Sequence, residues 1–195
     1  MHQSIDYALS QCLGKGERLL WSGRPRGGVR FRGQDIYIIP FSLLWAGFAF
    51  FWEYTAVTMT AKAPAPIGGV FPLFGAPFVL VGLYFVVGRF FADAYCRART
   101  FYGVTNERII ILSGIFSKQT KSLQLRTLTD VSLTQRGDGS GTITFGPAHF
   151  MNAFFPAGSW PGAGRYAPPA FDFIDQAKAV YDIFQEAQKA AFVSA

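Results

Sequence analysis

The chain has 195 residues, of which 50% are apolar, 17% are aromatic and only 15% are charged, whereas about a quarter is usual in soluble domains. This composition excludes a disordered chain, because disordered chains are poor in aromatic residues and rich in charge. The cysteines Cys12 and Cys96 lie far apart and in no CxxC pair, which excludes a disulfide scaffold and a zinc ribbon.

The amino-terminal segment, residues 1–35, is polar and contains one short apolar run between two glycines, residues 17–22 (ERLLWS). We predict that this run forms a strand that joins the sheet formed later in the chain. A signal peptide would carry an apolar region behind a short basic stretch near the amino terminus, and this segment has no such region. We therefore expect the first long apolar segment to be retained as an anchor.

Two apolar segments without a charge follow, Ile36–Trp52 and Ile67–Gly88. Their 17 and 22 residues would span about 25 and 33 Å as helices, against about 30 Å for the hydrocarbon core of a bilayer. Two buried helices of a globular core are the alternative, but core helices normally carry a polar stripe. The lengths predict a transmembrane hairpin with helices at about 36–57 and 66–88 and a short loop between them.

Arginines flank the outer ends of both apolar segments. They are Arg24, Arg26, Arg30 and Arg32 before the first, and Arg89, Arg97 and Arg99 after the second. Only Asp35 and Asp93 oppose them, so these stretches carry +5 of the total formal charge of +6. This positive-inside pattern predicts that both termini lie in the cytoplasm and that the short loop lies outside, and it explains the positive charge without a nucleic-acid partner. The same arginines are candidates for contact with anionic lipid headgroups, and fixing the topology alone is the other interpretation.

Three glycines recur every seven residues in the second apolar segment, at Gly68, Gly75 and Gly82. Small residues at this spacing let another helix approach closely, so they predict a helix-packing face for the first span or for a partner subunit. Ordinary glycine abundance in membrane helices explains the same pattern. Glu53, at the outer end of the first span, is expected at headgroup level.

After Arg99 the pattern changes to short alternating runs separated by turns. The strands predicted from this alternation lie at 100–104, 108–112, 122–125, 131–134 and 142–145. Such strands form an antiparallel meander that curls to bury its apolar face. Apolar residues at helical spacing then predict a helix at about 172–192, with Asp172 as its N-cap. The polar face of this helix has mixed charge, so we expect it to dock on the sheet and not on anionic lipid.

Several stretches together resemble a known family. They are residues 16–25 (GERLLWSGRP), 99–125 (RTFYGVTNERIIILSGIFSKQTKSLQL) and 138–146 (DGSGTITFG). The chain thereby resembles the bacterial PH-like domain membrane proteins. The resemblance implies two membrane helices and then, over residues 89–195, an α+β domain: a pleckstrin-homology-like antiparallel β-barrel or sandwich closed by a carboxyl-terminal helix. It brings no catalytic motif.

Motifs with chemical potential are few. The glycine-rich run at 137–141 lacks the Lys-Ser/Thr ending of a P-loop and predicts a tight hairpin. The two histidines, His2 and His149, make a histidine metal site or a Ser-His-Asp triad improbable. Aromatic residues in the Pro/Gly-rich stretch 147–171 are candidates for partner contact, for the membrane interface or for internal packing. They are, with one methionine, Phe150, Met151, Phe154, Phe155, Trp160 and Tyr166.

Together with this resemblance, the architecture and the lack of catalytic motifs lead us to expect a non-catalytic protein of the bacterial inner membrane, with a short periplasmic loop between its two spans and without a cofactor or a small-molecule substrate. Its expected role is that of a scaffold, accessory subunit or assembly factor of a membrane protein complex, with membrane lipids and other membrane protein subunits as partners. The alternative is an anionic-lipid-binding module that uses the flanking arginines, and an enzyme is the third and weakest possibility.

Overall fold

The structure is a computed structural model that describes residues 2–33, 35–61, 67–114, 119–147 and 168–193. These residues fall into two compact units. The sheet unit comprises the described residues of 1–28, 94–150 and 166–195, and the helical unit comprises those of 29–93.

One strand precedes the two long helices in the chain, and the other strands follow them. The elements are α1 (His2–Ser10), β1 (Leu19–Gly23), α2 (Asp35–Thr60), α3 (Ile67–Leu83), a π-helical turn (Tyr84–Gly88), α4 (Arg89–Ala98), β2 (Phe101–Thr105), β3 (Arg108–Ser113), β4 (Gln119–Gln124), a 3₁₀ turn (Leu125–Thr127), β5 (Val131–Gln135), β6 (Gly141–Phe145), β7 (Ala170–Ile174) and α5 (Ala177–Val193).

The strands of the sheet unit form two antiparallel sheets. The first has the order β1-β2-β3-β4, and the second has the order β5-β6-β7. No strand pairing joins the two sheets among the described residues, so of the predicted barrel or sandwich the sheets do not form a closed barrel, and the α+β class is confirmed. The 3₁₀ turn after β4 explains the break, because it redirects the chain before β5 can continue the first sheet.

One core lies between the two sheets and α5. Four aromatic rings run through it: Tyr102 stacks on Phe171 at 4.6 Å between ring centroids, Phe171 meets Phe145 at 4.9 Å, and Phe145 meets Phe184 of α5 at 5.4 Å. All four side chains are buried. Aromatic pairs at these separations add to the stability gained by burying their area, so this chain of rings ties both sheets to the helix.

The carboxyl-terminal helix begins five residues later than predicted. Asp172 is not an N-cap, since it lies in β7, where it alternates with the buried Phe171 and Phe173. This alternation has the period of a strand, and the helical spacing read from the sequence concealed it. The chain then turns through Gln176, which has a φ of 49°, before α5 starts.

An amino-terminal helix, α1, was not predicted from the sequence. Ile5 and Leu9, one turn apart, are buried against Ile110 on the face of the first sheet that points away from the main core. A helix of nine residues is too short to be stable alone in water. Its stability therefore comes from this packing, which leaves little local signal in the sequence.

Two helices are long and apolar enough to cross a membrane, Asp35–Thr60 and Pro72–Ala98, and both belong to the helical unit up to Asp93. The second includes the π-helical turn and continues ten residues beyond the predicted end at Gly88. Among the residues of α2 that are buried in the unit are four small ones. They are Ser42, Ala46, Ala49 and Ala56.

The large apolar side chains of these helices point outward. Leu44 is 74% exposed, Phe74 is 74% exposed and Leu80 is 65% exposed. Exposed apolar surface of this extent is unusual for a soluble monomer, and it marks a surface for lipid or for another protein.

Candidate functional site: the flanking arginines

The seven arginines singled out in the sequence divide between the two units. Arg24, Arg26, Arg97 and Arg99 belong to the sheet unit, whereas Arg30, Arg32 and Arg89 belong to the helical unit.

Arg26 clamps the segment after β1 onto the second sheet. Its Nη1 donates to Asp138 Oδ2 at 2.5 Å, its Nε donates to Asp175 Oδ1, and its backbone N–H donates to the Phe173 carbonyl oxygen at 2.9 Å. The carboxylates of Asp175 and Asp138 raise the pKa of Arg26, and the hydrogen bond to Asp175 has the larger effect. Hydrogen bonds from Ser140, assisted by Arg26, lower the pKa of Asp138 to about 2. One cation thus holds two turns that lie more than 100 residues away in sequence.

Arg97, near the end of α4, also holds the segment that follows β1. Its Nη1 donates to the Arg26 carbonyl oxygen at 3.0 Å, and its Nη2 donates to the Gly28 carbonyl oxygen at 2.9 Å. The Arg97 guanidinium also lies over the Phe173 ring, 5.2 Å from its centroid, and the residue is buried. Because two main-chain acceptors and an aromatic face surround it, the Arg97 side chain has a structural role.

Of the seven flanking arginines, Arg24 and Arg99 are exposed in the sheet unit. Arg99 lies over the Tyr95 ring at 4.1 Å, and Arg24 reaches the surface beside the buried Pro25.

In the helical unit, Arg89 and Asp35 form a buried ion pair between the two helices. Arg89 Nη1 donates to Asp35 Oδ1 at 2.7 Å, and Arg89 Nε donates to the Phe85 carbonyl oxygen at 2.9 Å. The other oxygen of Asp35 accepts the backbone N–H of Arg32 at 2.6 Å, and Arg32 pairs with Asp93 at 3.3 Å. These contacts hold the start of α2 against the start of α4. Breaking the buried pair would leave an uncompensated buried charge, which is costly.

From the sequence we expected these arginines to fix the membrane topology or to contact lipid headgroups. Their intramolecular partners were not predicted. Main-chain oxygens or carboxylates accept hydrogen bonds from Arg26, Arg32, Arg89 and Arg97. Arg30 is half-buried and has no partner among the residues that the structure describes.

The glycines of the second apolar segment lie in α3. A methyl group on Gly82 would stand 3.1 Å from the Ala46 Cα, and one on Gly75 would clash with the Glu53 carboxylate. Both glycines therefore face α2 at close approach, whereas Gly68 lies in the first turn of α3. Glu53 turns toward α3, and its Oε2 is buried without a hydrogen-bond partner among the described residues.

The aromatic candidates Phe150, Phe154, Phe155, Trp160 and Tyr166 lie outside the described residues. Where the chain is described, no group of three or more His, Cys, Asp or Glu residues is placed to hold a metal ion. In the glycine-rich run, Gly139 has a φ of 77° and forms the turn between β5 and β6.

A charge network around the buried carboxylate of Glu17 supports the first sheet, and the sequence analysis did not find it. Arg108 donates through Nε and Nη2 to both oxygens of Glu17, at 2.8 and 2.9 Å, and Thr105 Oγ1 donates to Glu17 Oε1 at 2.8 Å. The Arg108 hydrogen bond is the main cause that lowers the pKa of Glu17 to about 2. Asn106 adds a reciprocal pair, since its backbone N–H and its Oδ1 bond the carbonyl oxygen and the N–H of Arg18. The polar residues of the stretches GERLLW (16–21) and VTNER (104–108) thus join β1 to the turn between β2 and β3.

Comparison with known proteins identifies one family. The sequence model of this family, described as bacterial PH domain, matches residues 37–188, which include α2 from Tyr37 onward, the second long helix, the strands β2–β7 and most of α5. No curated protein and no solved structure matches the chain.

Proposed function

The chain belongs to the bacterial PH domain family, and on this premise we propose that it is a non-catalytic, membrane-anchored protein that presents its PH-like domain at the cytoplasmic surface of the bacterial inner membrane. Its two long helices cross the bilayer as a hairpin. The domain acts as a scaffold, accessory subunit or assembly factor of a membrane protein complex.

The path of the chain carries this proposal. The chain leaves the sheet unit at Gly28 and returns to it at Ala94, with both long helices in between or at the boundary. A folded domain lies on one side of a bilayer, so the excursion must cross the membrane an even number of times. Two helices of sufficient length meet that requirement, and the outward apolar side chains suit a lipid solvent.

The side of the membrane follows from charge. The two connecting stretches carry seven arginines and two aspartates, and an excess of arginine favours the cytoplasmic face. Both termini are therefore cytoplasmic in this proposal.

The charged groups with shifted pKa values make structural contacts, which supports a role without catalysis. The groups with shifted pKa values, Glu17, Arg26, Arg108 and Asp138, lie in ion pairs or turn hydrogen bonds that join distant segments. An anchored domain gains effective concentration toward partners in the same membrane, which suits an assembly or accessory role.

The experiment is purification of the full-length protein from its native membranes in mild detergent, with measurement of the mass of the complex. The proposal predicts a complex with one or more further membrane subunits at fixed stoichiometry. A lone monomer at every concentration would contradict the scaffold role. If the protein binds anionic vesicles in a salt-sensitive way and has no protein partner, the alternative function as a lipid-binding module is correct.

A further inference from the structure

The helix of the second apolar segment is long enough to carry its last turn into the headgroup layer of a bilayer. It runs from Pro72 to Ala98 and has 27 residues. These residues rise about 40 Å, whereas the hydrocarbon core is about 30 Å thick and the headgroups extend a bilayer to about 40–45 Å. When this helix crosses the membrane, the residues at its carboxyl end therefore lie at the level of the lipid phosphates.

The last turn of this helix has two different sides. Arg97 is buried and bonds main-chain oxygens of the sheet unit. Tyr95 and Arg99 are each two residues from Arg97, about 200° around the helix axis, and both are exposed, Tyr95 at 48%. The Arg99 backbone N–H bonds the Cys96 carbonyl oxygen at 3.2 Å, so the helical path includes Arg99. One side of the turn thus stabilises the sheet unit, and the other faces outward.

Tyr95 holds the guanidinium of Arg99 in place. The Arg99 Cζ lies 4.1 Å from the centroid of the Tyr95 ring, and a cation at this distance is attracted by the negative face of the ring. Within the described segments of the chain, no carboxylate or carbonyl oxygen accepts a hydrogen bond from this guanidinium. Its N–H donors form a rigid fork that matches the oxygens of a phosphate. The ring therefore positions a phosphate-binding group without using its donors.

The side chains change along this side of α4 as a phospholipid changes from its tails to its headgroup. Phe91 is apolar and 66% exposed, Tyr95 follows one turn later with an apolar ring and a polar hydroxyl, and Arg99 follows after another turn with a charge. Aromatic residues with a polar tip are enriched at the membrane interface, and arginine is attracted to the anionic groups beyond it. A free phosphate ion would match Arg99 alone, whereas a phospholipid matches all three residues.

We propose that Tyr95 and Arg99 form an interfacial site for the phosphate of a membrane phospholipid, with the Arg99 guanidinium donating to the phosphate oxygens and the Tyr95 ring below it against the lipid. This inference rests on the proposed function, because it requires that the helix crosses the bilayer. It assigns headgroup contact to Arg99 among the flanking arginines, whereas Arg26 and Arg97 bond groups of the protein itself.

The test is a solid-state NMR distance between the Arg99 Cζ and the lipid phosphorus, in full-length protein with isotope-labelled arginine in phospholipid bilayers. The Arg99 signal is identified by its loss in Arg99→Lys. We expect phosphorus to dephase this signal with a distance of about 4 Å, the separation in a hydrogen-bonded guanidinium–phosphate pair. Excess sulfate, a free tetrahedral anion without phosphorus, should leave the dephasing unchanged, because it lacks the acyl chains of a lipid.

Substitutions of Tyr95 test how the guanidinium is positioned. Tyr95→Phe keeps the ring and should keep the dephasing of the Arg99 signal. Tyr95→Leu keeps an apolar side chain without a ring face, so we expect it to reduce the dephasing at least twofold. Tyr7→Leu, at an exposed tyrosine of α1, is the matched control and should leave the dephasing unchanged.

Three results would overturn the inference: no dephasing of the Arg99 signal in the wild type, its loss on addition of sulfate, or equal dephasing in Tyr95→Phe and Tyr95→Leu. In each case the proposed function still holds if the protein stays in the membrane pellet after a carbonate wash. If carbonate extracts the wild type, the proposed function and the inference both fail.

Discussion

Glu17 and Arg108 form a two-pronged ion pair that joins the entrance of β1 to the start of β3, 91 residues further along the chain. The Glu17 side chain is 1% exposed, and both of its oxygens also accept a further hydrogen bond, from Thr105 and from the backbone of Gly14. The segment before the first long helix is thus locked to the strands that come after the second one.

Loss of Arg108 should destabilise the sheet unit strongly. Arg108→Gln leaves the buried Glu17 carboxylate without its cation, which we expect to cost about 3 kcal/mol in the free energy of unfolding. Arg126→Gln is the matched control, because Arg126 is exposed in the 3₁₀ turn, and it should change stability by less than about 0.5 kcal/mol. Denaturant unfolding of the full-length protein in mild detergent measures both. Equal effects of the two substitutions would refute the structural role of the pair.

The same pair makes stability depend on pH on the acid side. The pKa of Glu17 falls from an ordinary value of 4.5 to about 2 in the folded protein. A carboxyl group with a depressed folded pKa contributes stability that is fully present above its unfolded pKa and is lost as pH falls through the folded value. The difference in unfolding free energy between wild type and Glu17→Gln should therefore be constant above about pH 5 and shrink between pH 4.5 and 2. A difference that does not vary with pH would show that the substitution acts through packing alone.

The arginine clamp should protect the segment after β1 from exchange with solvent. Arg97→Met removes the two hydrogen bonds to the carbonyl oxygens of Arg26 and Gly28, so we expect the amide of Arg26, which bonds Phe173, to exchange at least tenfold faster. Hydrogen–deuterium exchange of the full-length protein reports this directly. Lys189→Met, at an exposed position of α5, is the control and should leave the exchange rate of that amide unchanged. If Arg97→Met has no local effect, Arg97 does not hold this segment.

The close contact of the two long helices should be sensitive to one methyl group. Gly82→Ala would press on the Ala46 backbone, which cannot move aside as a flexible side chain would, and overpacking of this kind costs about 1–3 kcal/mol. Gly47→Ala is the matched control in α2, because its methyl group would meet nothing within 4 Å. Replacing a glycine inside a helix by alanine is favourable by about 0.5–1 kcal/mol, so this control should raise the melting temperature while Gly82→Ala lowers it. A higher melting temperature for both variants would contradict the close packing of Gly82 on Ala46.

The sequence predicted those parts of the fold whose signal is local. The alternating runs correspond to β2–β6, and the long uncharged segments correspond to α2 and to the helix that contains α3. The short helix α1 and the strand β7 escaped prediction, since both owe their conformation to packing against residues far away in the chain. The Glu17–Arg108 pair and the Arg26 clamp join residues about 90 to 150 positions apart, and a single sequence gives no measure of such proximity.

The hairpin topology is tested most directly by labelling cysteines in intact spheroplasts with a membrane-impermeant maleimide. Cys96 is native and exposed, and Ala61→Cys adds an exposed thiol just after α2, in the loop between the two long helices. The account predicts that the thiol at position 61 reacts in intact spheroplasts and that Cys96 reacts only after the membrane is permeabilised. Labelling of Cys96 in intact spheroplasts, or protection of position 61 until permeabilisation, would contradict it.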